Sequence, residues 1–265
     1  MQIAIVVYPG MTALDIVGPY EVLRFIPGAE LRFVWTEPGP VIADSGVFMM
    51  AATHSFDETP TPDVVLIGGS GTASGTIAKN QQLLEWLRRV HENAQWTTSV
   101  CTGSVVLAAA GLLDDQPATT HWSEMSVLEG LGAQPKSNER VVHTGKIVTG
   151  AGVSAGIDLA LWLVGRIAGD DVARAAQLAI EYDPQPPYDS GSLQKASAET
   201  KRAVAALVRR ETVKLAANEP SAFLREAAAL SELAWRIAVR KARTRRSVLR
   251  RAKPARLQSK ALLSQ

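Results

Sequence analysis

Runs of apolar residues alternate with amphipathic stretches over about the first 180 residues of the chain. Residues 2–8 are almost continuously apolar, which is typical of a parallel strand covered on both faces. A helical pattern follows at 14–25, and the same order of strand and helix then recurs. This alternation predicts an α/β fold, in which a mostly parallel sheet carries helices on both faces. The predicted strands cover residues 2–8, 31–36, 64–67 and 96–100, the hairpins 41–50 and 141–149, and the helices 14–25, 77–92, 103–110, 122–131, 157–167 and 172–181.

A different pattern begins after residue 183. Several prolines and a glycine at 184–191 interrupt the alternation, and an Ala- and Arg-rich helical sequence follows, with a break at 218–220. We therefore predict an α/β domain at 1–195, a helical extension at 196–240 that packs on it, and a basic tail at 241–265 that is frayed or disordered. The apolar stripe expected to contact the domain consists of Phe223, Ala227, Leu230, Leu233, Ala234 and Ile237.

The formal net charge of +2 conceals an uneven distribution along the 265 residues. Residues 1–235 hold 17 basic and 26 acidic side chains, a net charge of −9, whereas the remaining residues hold 11 basic side chains and no acidic one. A basic tail can bind nucleic acid nonspecifically through phosphates, but a solvated extension is the commoner role and the one we favour. No apolar run approaches the roughly 18 residues of a membrane span, and we expect neither a signal peptide nor membrane association.

The chain contains a single cysteine. An intrachain disulfide and a Cys-rich zinc site are therefore excluded, and this cysteine usage is typical of a protein of the reducing cytoplasm. The histidines at 54, 91 and 143 lie far apart without the spacing of metal ligands, so no metal site is predicted.

That cysteine, Cys101, lies where a predicted strand ends and a helix begins. A sharp turn of this kind projects its central side chain from the carboxyl edge of the sheet, and Gly103 avoids a Cβ that would crowd the turn. The N-terminus of the following helix favours the thiolate and should lower the pKa of the thiol. Cys101 is therefore a candidate nucleophile; the alternative is an ordinary buried core cysteine.

Two other strand ends should lie on the same carboxyl edge, where open α/β sheets bind ligands. The first is followed by Asp15, which either caps a helix or points into a pocket, where burial and a neighbouring thiolate would raise its pKa. The second is followed by Gly69 and Ser70, whose backbone N–H groups are candidate donors to a developing anion.

Several segments together resemble the DJ-1/PfpI superfamily over residues 1 to about 195, and within it the isocyanide hydratase branch most closely. The resemblance implies a flavodoxin-like three-layer sandwich of the class I glutamine amidotransferase type, followed here by a helical C-terminal extension. The segments are YPGMTALDIVGPYEV from Tyr8, GG at Gly68, SVCTGS from Ser99, AAGLL from Ala109, ATTHW from Ala118, GAGVSAGID from Gly150 and QLAIEYDP from Gln177.

The resemblance also implies roles for individual residues. Cys101 would be the nucleophile and Asp15 its carboxyl partner. Thr102 and the turn from Gly150 to Val153, with Gly150 and Gly152 as candidate substrate-binding residues, would form the pocket wall. The implied reaction converts an isocyanide into an N-substituted formamide through a thioimidate on Cys101, with no metal or organic cofactor. The implied partners are a small-molecule substrate and a second copy of the chain in a homodimer.

Two features limit the choice within the superfamily. Thr102 occupies the position where protease-like members place a histidine, so a Cys-His-acid triad at this turn is not expected. His121 matches a pocket histidine of DJ-1-like members, and it either contacts the site or caps the following helix.

Three alternative functions remain open. One is a glyoxalase-like activity on 2-oxoaldehydes, and another is redox sensing through oxidation of Cys101. The third is a ligand-binding regulator that uses the basic tail. Only about 65 residues follow residue 200, too few for the helix-turn-helix pair of AraC-type relatives.

Overall fold

A seven-stranded sheet forms the centre of the fold in the computed structural model, which describes residues 1–262 and the side chains of residues 1–243. Among these residues the strands and helices, in chain order, are β1 Gln2–Val6, α1 Ala13–Leu23, β2 Glu30–Trp35, β3 Gly39–Ile42, β4 Met49–Ala52, β5 His54–Ser55, β6 Val64–Ile67, α2 Ser74–Ile77, α3 Gln81–Asn93, β7 Trp96–Val100, α4 Gly103–Ala109, β8 Pro117–Ala118, a 3-10 turn Trp122–Glu124, α5 Met125–Gly130, β9 Gln134–Pro135, β10 Val141–Thr144, β11 Ile147–Gly150, α6 Ala155–Ala168, α7 Asp170–Ala179, α8 Ala198–Asn218 and α9 Pro220–Leu262.

The strands of this sheet follow the order β10-β11-β7-β6-β1-β2-β5. All neighbours are parallel except β10 and β11, which form the second predicted hairpin. The first predicted hairpin, β3 and β4, pairs antiparallel as a separate two-stranded sheet. The predicted mostly parallel α/β sheet is therefore confirmed.

Helices cover both faces of the sheet, as two successive residues of β7 illustrate. The ring of Trp96 meets Trp162 of α6 edge to face at 5.5 Å, while the hydroxyl of Thr97 lies 2.8 Å from Nδ1 of His91 in α3. Because successive side chains of a strand point to opposite faces, α6 and α3 lie on opposite sides of the sheet. The central strands β1 and β6 are accordingly buried on both faces.

The helix predicted at 77–92 begins later in the structure, as α3 at Gln81. Asn80 is its N-cap residue, because its side chain accepts a hydrogen bond from the N–H of Leu83 at 3.0 Å. The short helix α2 precedes it and lies between β6 and α3 in the chain.

The C-terminal extension consists of α8 and α9, which meet at the predicted break at 218–220. The face of α9 turned toward the domain contains Glu226, Ala229 and Leu233, whereas Ala227 and Ala234 of the predicted stripe are exposed. The predicted stripe was thus partly wrong, because a glutamate occupies the buried face.

The proposed boundaries of the extension and the tail stay predictions. Helix α9 crosses residue 240, and the expectation of a frayed or disordered tail at 241–265 concerns mostly side chains outside the described residues. None of the described helices is both long and apolar enough to cross a membrane.

We expect Leu233→Ala to lower the free energy of unfolding by about 2 kcal/mol or more, because this side chain is 3% exposed and its loss leaves a cavity. Leu224→Ala on the same helix is the matched control, since Leu224 is 65% exposed and surface substitutions usually change stability by less than about 0.5 kcal/mol. Urea unfolding followed by circular dichroism measures both. Equal effects of the two substitutions would show that α9 does not pack on the domain in this orientation.

Candidate active site

The turn after β7 holds Cys101 in an unusual backbone conformation. Its φ of +57° is in the left-handed region, which is uncommon for a residue other than glycine. The N–H of Cys101 donates to the carbonyl of Ala151 at 2.8 Å and that of Gly150 at 3.2 Å. Its own carbonyl accepts from the hydroxyl of Thr120 at 2.9 Å. These bonds fix the strained turn that the sequence predicted between strand and helix.

Two glycines permit the close approach of backbone segments around this turn. A Cβ on Gly103 would collide with the carbonyl oxygen of Ile67, so the predicted need for glycine at that position is confirmed. A Cβ on Gly69 would lie 2.5 Å from both the backbone nitrogen and the hydroxyl of Thr102. The segments after β6 and β7 are therefore in direct contact at the carboxyl edge of the sheet.

Asp15 is completely buried beside this turn. Its Oδ2 accepts a hydrogen bond from the N–H of Gly69 at 2.6 Å, whereas its Oδ1 has no standard partner in the described chain. Thr12 is the N-cap residue of α1, so of the two roles open from the sequence, the carboxyl takes the one within the site.

Burial raises the pKa of Asp15 from 3.8 to about 6. The hydrogen bond from Gly69 and the interaction with the thiol of Cys101 act in the opposite direction, and the charge of Asp44 adds to the increase. A carboxyl with this pKa can both hold and release a proton near neutral pH.

The candidate anion donors at Gly69 and Ser70 are already engaged within the protein. The N–H of Gly69 donates to Asp15, and the N–H of Ser70 donates to the hydroxyl oxygen of Thr102 at 2.8 Å. The prediction that they receive an incoming anion is therefore not supported, because intramolecular acceptors use both donors. Instead, the backbone N–H groups of Thr102 and Val153 donate hydrogen bonds to the sulfur of Cys101.

Burial raises the pKa of the Cys101 thiol well above its usual range, and the charge of Asp15 raises it further. The N–H groups of Thr102 and Val153 lower it by a smaller amount. The sequence predicted a lowered pKa from the N-terminus of the following helix. That expectation was wrong in direction, because burial of a side chain that is 6% exposed outweighs the backbone donors.

His121 takes the capping role, one of the two that the sequence left open, and its contact with the sulfur or the substrate stays a prediction. Its Nδ1 lies 2.8 Å from the hydroxyl of Ser123 and also caps the turn that begins at Trp122. The other edge of the ring faces Gly152, where an added Cβ would lie 3.1 Å from Cδ2. Burial lowers the pKa of His121, which favours the neutral imidazole in the wall of the site.

A cavity of about 630 Å³ lies against the turn from Ala151 to Ser154. Its apolar wall includes Leu14, Trp122 and Val153, with His121 and Gly152 beside them. Its polar wall includes Asn138, Arg140 and Gln194. Within the described residues, no group of three or more His, Cys, Asp or Glu side chains could hold a metal ion.

Tyr8 is a member of the site that sequence reasoning missed. Its hydroxyl donates to the carbonyl of Gly68 at 2.9 Å, and burial together with the charge of Asp15 raises its pKa well above 10. The available signal was its position at the end of the first predicted strand. Thr120 acts through its side-chain hydroxyl, which donates to the carbonyl of Cys101, and Val153 acts through its backbone N–H, which bonds the sulfur. No sequence pattern marked either residue individually.

The DJ-1/PfpI family matches residues 1–166 of the chain. The isonitrile hydratase of Pseudomonas putida is 42% identical over 192 residues, which cover 72% of this chain and 83% of that protein.

Solved structures agree with this relationship. A ThiJ/PfpI family protein from Pseudomonas syringae has a TM-score of 0.75 and 38% identity, covering 82% of this chain and 89% of that one. DJ-1beta of Drosophila melanogaster has a TM-score of 0.63 and 18% identity, covering 69% of this chain and 98% of that one, and it supports the fold alone.

The raised pKa of Asp15 predicts a specific dependence of stability on pH. Between about pH 4 and pH 6 the unfolded chain loses this proton while the folded chain still holds it, so rising pH destabilises the fold. The total loss of unfolding free energy is about 3 kcal/mol; it is complete above the folded pKa and absent below the unfolded pKa.

Asp15→Asn removes this titration. Its unfolding free energy relative to the wild type should therefore rise by about 2 kcal/mol between pH 4 and pH 7, measured by urea unfolding at each pH. A difference that does not change with pH would contradict the assigned pKa.

Proposed function

Because the chain belongs to the DJ-1/PfpI family, we propose that it is a hydratase that converts isocyanides (isonitriles) into N-substituted formamides through Cys101 and Asp15. The observation that carries the proposal is a buried carboxyl with a pKa of about 6 beside a buried cysteine on a strained turn. The relative named isonitrile hydratase supports a hydratase-like activity. The proposal needs no histidine next to the nucleophile, and Thr102 occupies that position.

The first step adds the S–H group of Cys101 across the terminal carbon of the isocyanide. The sulfur forms a bond to this carbon while the thiol proton passes through Asp15 to the same carbon. The carbon–nitrogen triple bond becomes a double bond, and the product R–N=CH–S–Cys101 is a thioimidate. The step consumes one proton and one thiolate, both of which come from the neutral thiol.

The second step hydrolyses the thioimidate. A water molecule whose proton is accepted by Asp15 attacks the same carbon, and the nitrogen becomes protonated. The tetrahedral intermediate then collapses, the carbon–sulfur bond breaks, and the thiol regains its proton. One isocyanide and one water have given R–NH–CHO, with no change in oxidation state of the enzyme.

The raised pKa of Cys101 suits this chemistry. A neutral thiol stores the proton that the isocyanide carbon must receive, so a resting thiolate is not required. Asp15 can transfer the proton because its pKa of about 6 lies between the usual pKa of a carboxyl and neutral pH. The N–H groups of Thr102 and Val153 then stabilise negative charge on sulfur when it develops.

We place the substituent of the isocyanide in the cavity beside the turn from Ala151 to Ser154, whose described lining mixes apolar with polar side chains and includes neither Cys101 nor Asp15. Leu14, Trp122 and Val153 provide an apolar wall, and the cavity of about 630 Å³ has the size of a small-molecule site. The proposed homodimer stays a prediction.

A glyoxalase-like activity on 2-oxoaldehydes is the second candidate. It also uses a nucleophilic cysteine with a proton-transferring carboxyl, and Cys101 with Asp15 fits that requirement equally. Redox sensing has weaker support, because oxidation proceeds through the thiolate and the pKa of Cys101 is raised.

We expect the wild-type protein to form N-substituted formamides from simple alkyl and aryl isocyanides. Cys101→Ala removes the nucleophile and should abolish turnover. Asp15→Asn keeps the shape but cannot transfer the proton, so kcat/KM should fall by about 100-fold or more. Product identification by mass spectrometry measures this, and turnover that survives Cys101→Ala would refute the mechanism.

Two further assays on the wild-type protein separate the alternatives. Methylglyoxal given to the wild type under identical conditions tests the glyoxalase-like activity, and a higher kcat/KM for this aldehyde than for every isocyanide would replace the proposal. Graded peroxide followed by mass spectrometry of Cys101 tests the sensor. We expect slow oxidation, and rapid selective formation of a sulfinate would favour the sensor.

A further inference from the structure

A buried glutamate of the C-terminal extension contacts the domain close to the active site. Glu226 of α9 is 9% exposed. Its carboxylate accepts hydrogen bonds from the N–H of Gly75 at 2.7 Å, the N–H of Thr76 at 2.8 Å and the hydroxyl of Thr76 at 2.7 Å. Three donors to one buried carboxylate form a strong, directed set of contacts. Residue 226 lies outside the part of the chain that matches the family, residues 1–166.

The receiving helix α2 has no cap of its own. Its N-cap residue, Ala73, provides no side-chain acceptor, and the helix is four residues long. The first backbone N–H groups of a helix lack intrahelical partners, and Glu226 satisfies two of them from another part of the chain. Gly75 permits the approach, because an added Cβ would lie 2.9 Å from Leu230 and 3.1 Å from the Glu226 carboxylate.

We call the contacts of Glu226 with Gly75 and Thr76 the clamp. The segment from Gly68 to Ala73 connects it to Asp15 and Cys101. The hydroxyl oxygen of Ser70 accepts from the N–H groups of Thr72 and Ala73 at 3.1 and 2.8 Å, which makes the segment rigid up to α2. Toward the site, the N–H of Ser70 bonds the hydroxyl of Thr102, and the preceding N–H bonds Asp15. A short, hydrogen-bonded loop therefore connects α2 to Asp15 and Thr102.

We propose that Glu226 is a positioning residue for the active site. By holding α2, it fixes the loop whose N–H groups bond Asp15 and Thr102, and it thereby sets the environment of Cys101. The extension thus contributes to the reaction without touching the substrate. The kinetic part of this inference rests on the proposed hydratase function, whereas the chemical reactivity of Cys101 tests it independently.

Other contacts also attach α9, and they provide the control. Glu232, one and a half turns further along, forms an ion pair with Lys79 at the surface and another with Arg236 at 3.1 Å. Its side chain is 40% exposed, and its contact with Lys79 lies beyond the loop that reaches the site. Glu226→Gln and Glu232→Gln are therefore matched changes on the same helix, of which only the first alters the clamp.

The readout is the rate at which iodoacetamide alkylates Cys101, the single cysteine, over a range of pH. The hydrogen bond from Gly69 lowers the pKa of Asp15, so a loosened loop should move the Asp15-dependent inflection of the profile to higher pH. The other titratable groups that face Asp15 are Cys101 itself, Tyr8 and Asp44, and they are identical in all variants. Glu226 faces Glu124 and, at longer range, Tyr8.

We expect Glu226→Gln to shift this inflection upward and to lower kcat roughly threefold or more, with KM nearly unchanged, whereas Glu232→Gln should leave both the inflection and kcat unchanged. In an Asp15→Asn background the same substitution should leave the alkylation profile unchanged, because the coupled group is absent. A purely structural role would alter alkylation equally in both backgrounds.

Gly75→Ala provides a second variant that keeps the carboxylate but forces Leu230 and Glu226 away from α2. It should reproduce the upward shift, and it decides the question if Glu226→Gln fails to fold. The inference would be overturned if neither variant showed the shift, or if Cys101 of Glu226→Gln were alkylated with the same pH profile as Cys101 of Glu232→Gln. If the wild type hydrates no isocyanide, the alkylation profiles still test the positioning role, so the two failures are distinguishable.

Discussion

The hydrogen bond from the N–H of Gly69 to the buried carboxyl of Asp15 is the contact on which the site depends. A carboxyl removed from water loses its solvation, and a single N–H with a neighbouring thiol restores only part of it. The carboxyl therefore holds its proton to about pH 6. The resulting group is costly for stability near neutral pH but useful for proton transfer.

The sheet explains how residues far apart in sequence converge on this contact. Strands β11, β7, β6 and β1 are parallel neighbours, so their carboxyl ends lie along one edge. The segments that follow them contribute the turn at Ala151–Val153, the elbow at Cys101, the N–H of Gly69 and the carboxyl of Asp15. The close approach of these segments requires glycine at 69 and 103, where any Cβ would collide with a neighbouring backbone.

Much of the fold was predictable because local patterns determined it. Strands β6 and β7 have the predicted bounds, since short apolar or β-branched runs ended in glycine-rich or elbow sequences. The use of the donors at Gly69 and Ser70 was not predictable, because their acceptors are 54 and 32 residues away in sequence. The direction of the pKa shift of Cys101 also depends on burial, which a single sequence does not measure. Glu226 was missed because a glutamate in an Ala-rich helix is normally exposed.

The absence of a histidine beside the nucleophile and the raised pKa of its thiol have a common physical meaning. A triad cysteine needs a base that removes its proton before attack, which suits a carbonyl carbon that accepts only the sulfur. The carbon of an isocyanide must receive both the sulfur and a proton. In the proposed reaction, a neutral thiol beside a carboxyl with a pKa of about 6 supplies both from one group. The proposed hydration would therefore make use of the burial of Cys101, because the burial that disfavours its thiolate also keeps the proton on the sulfur.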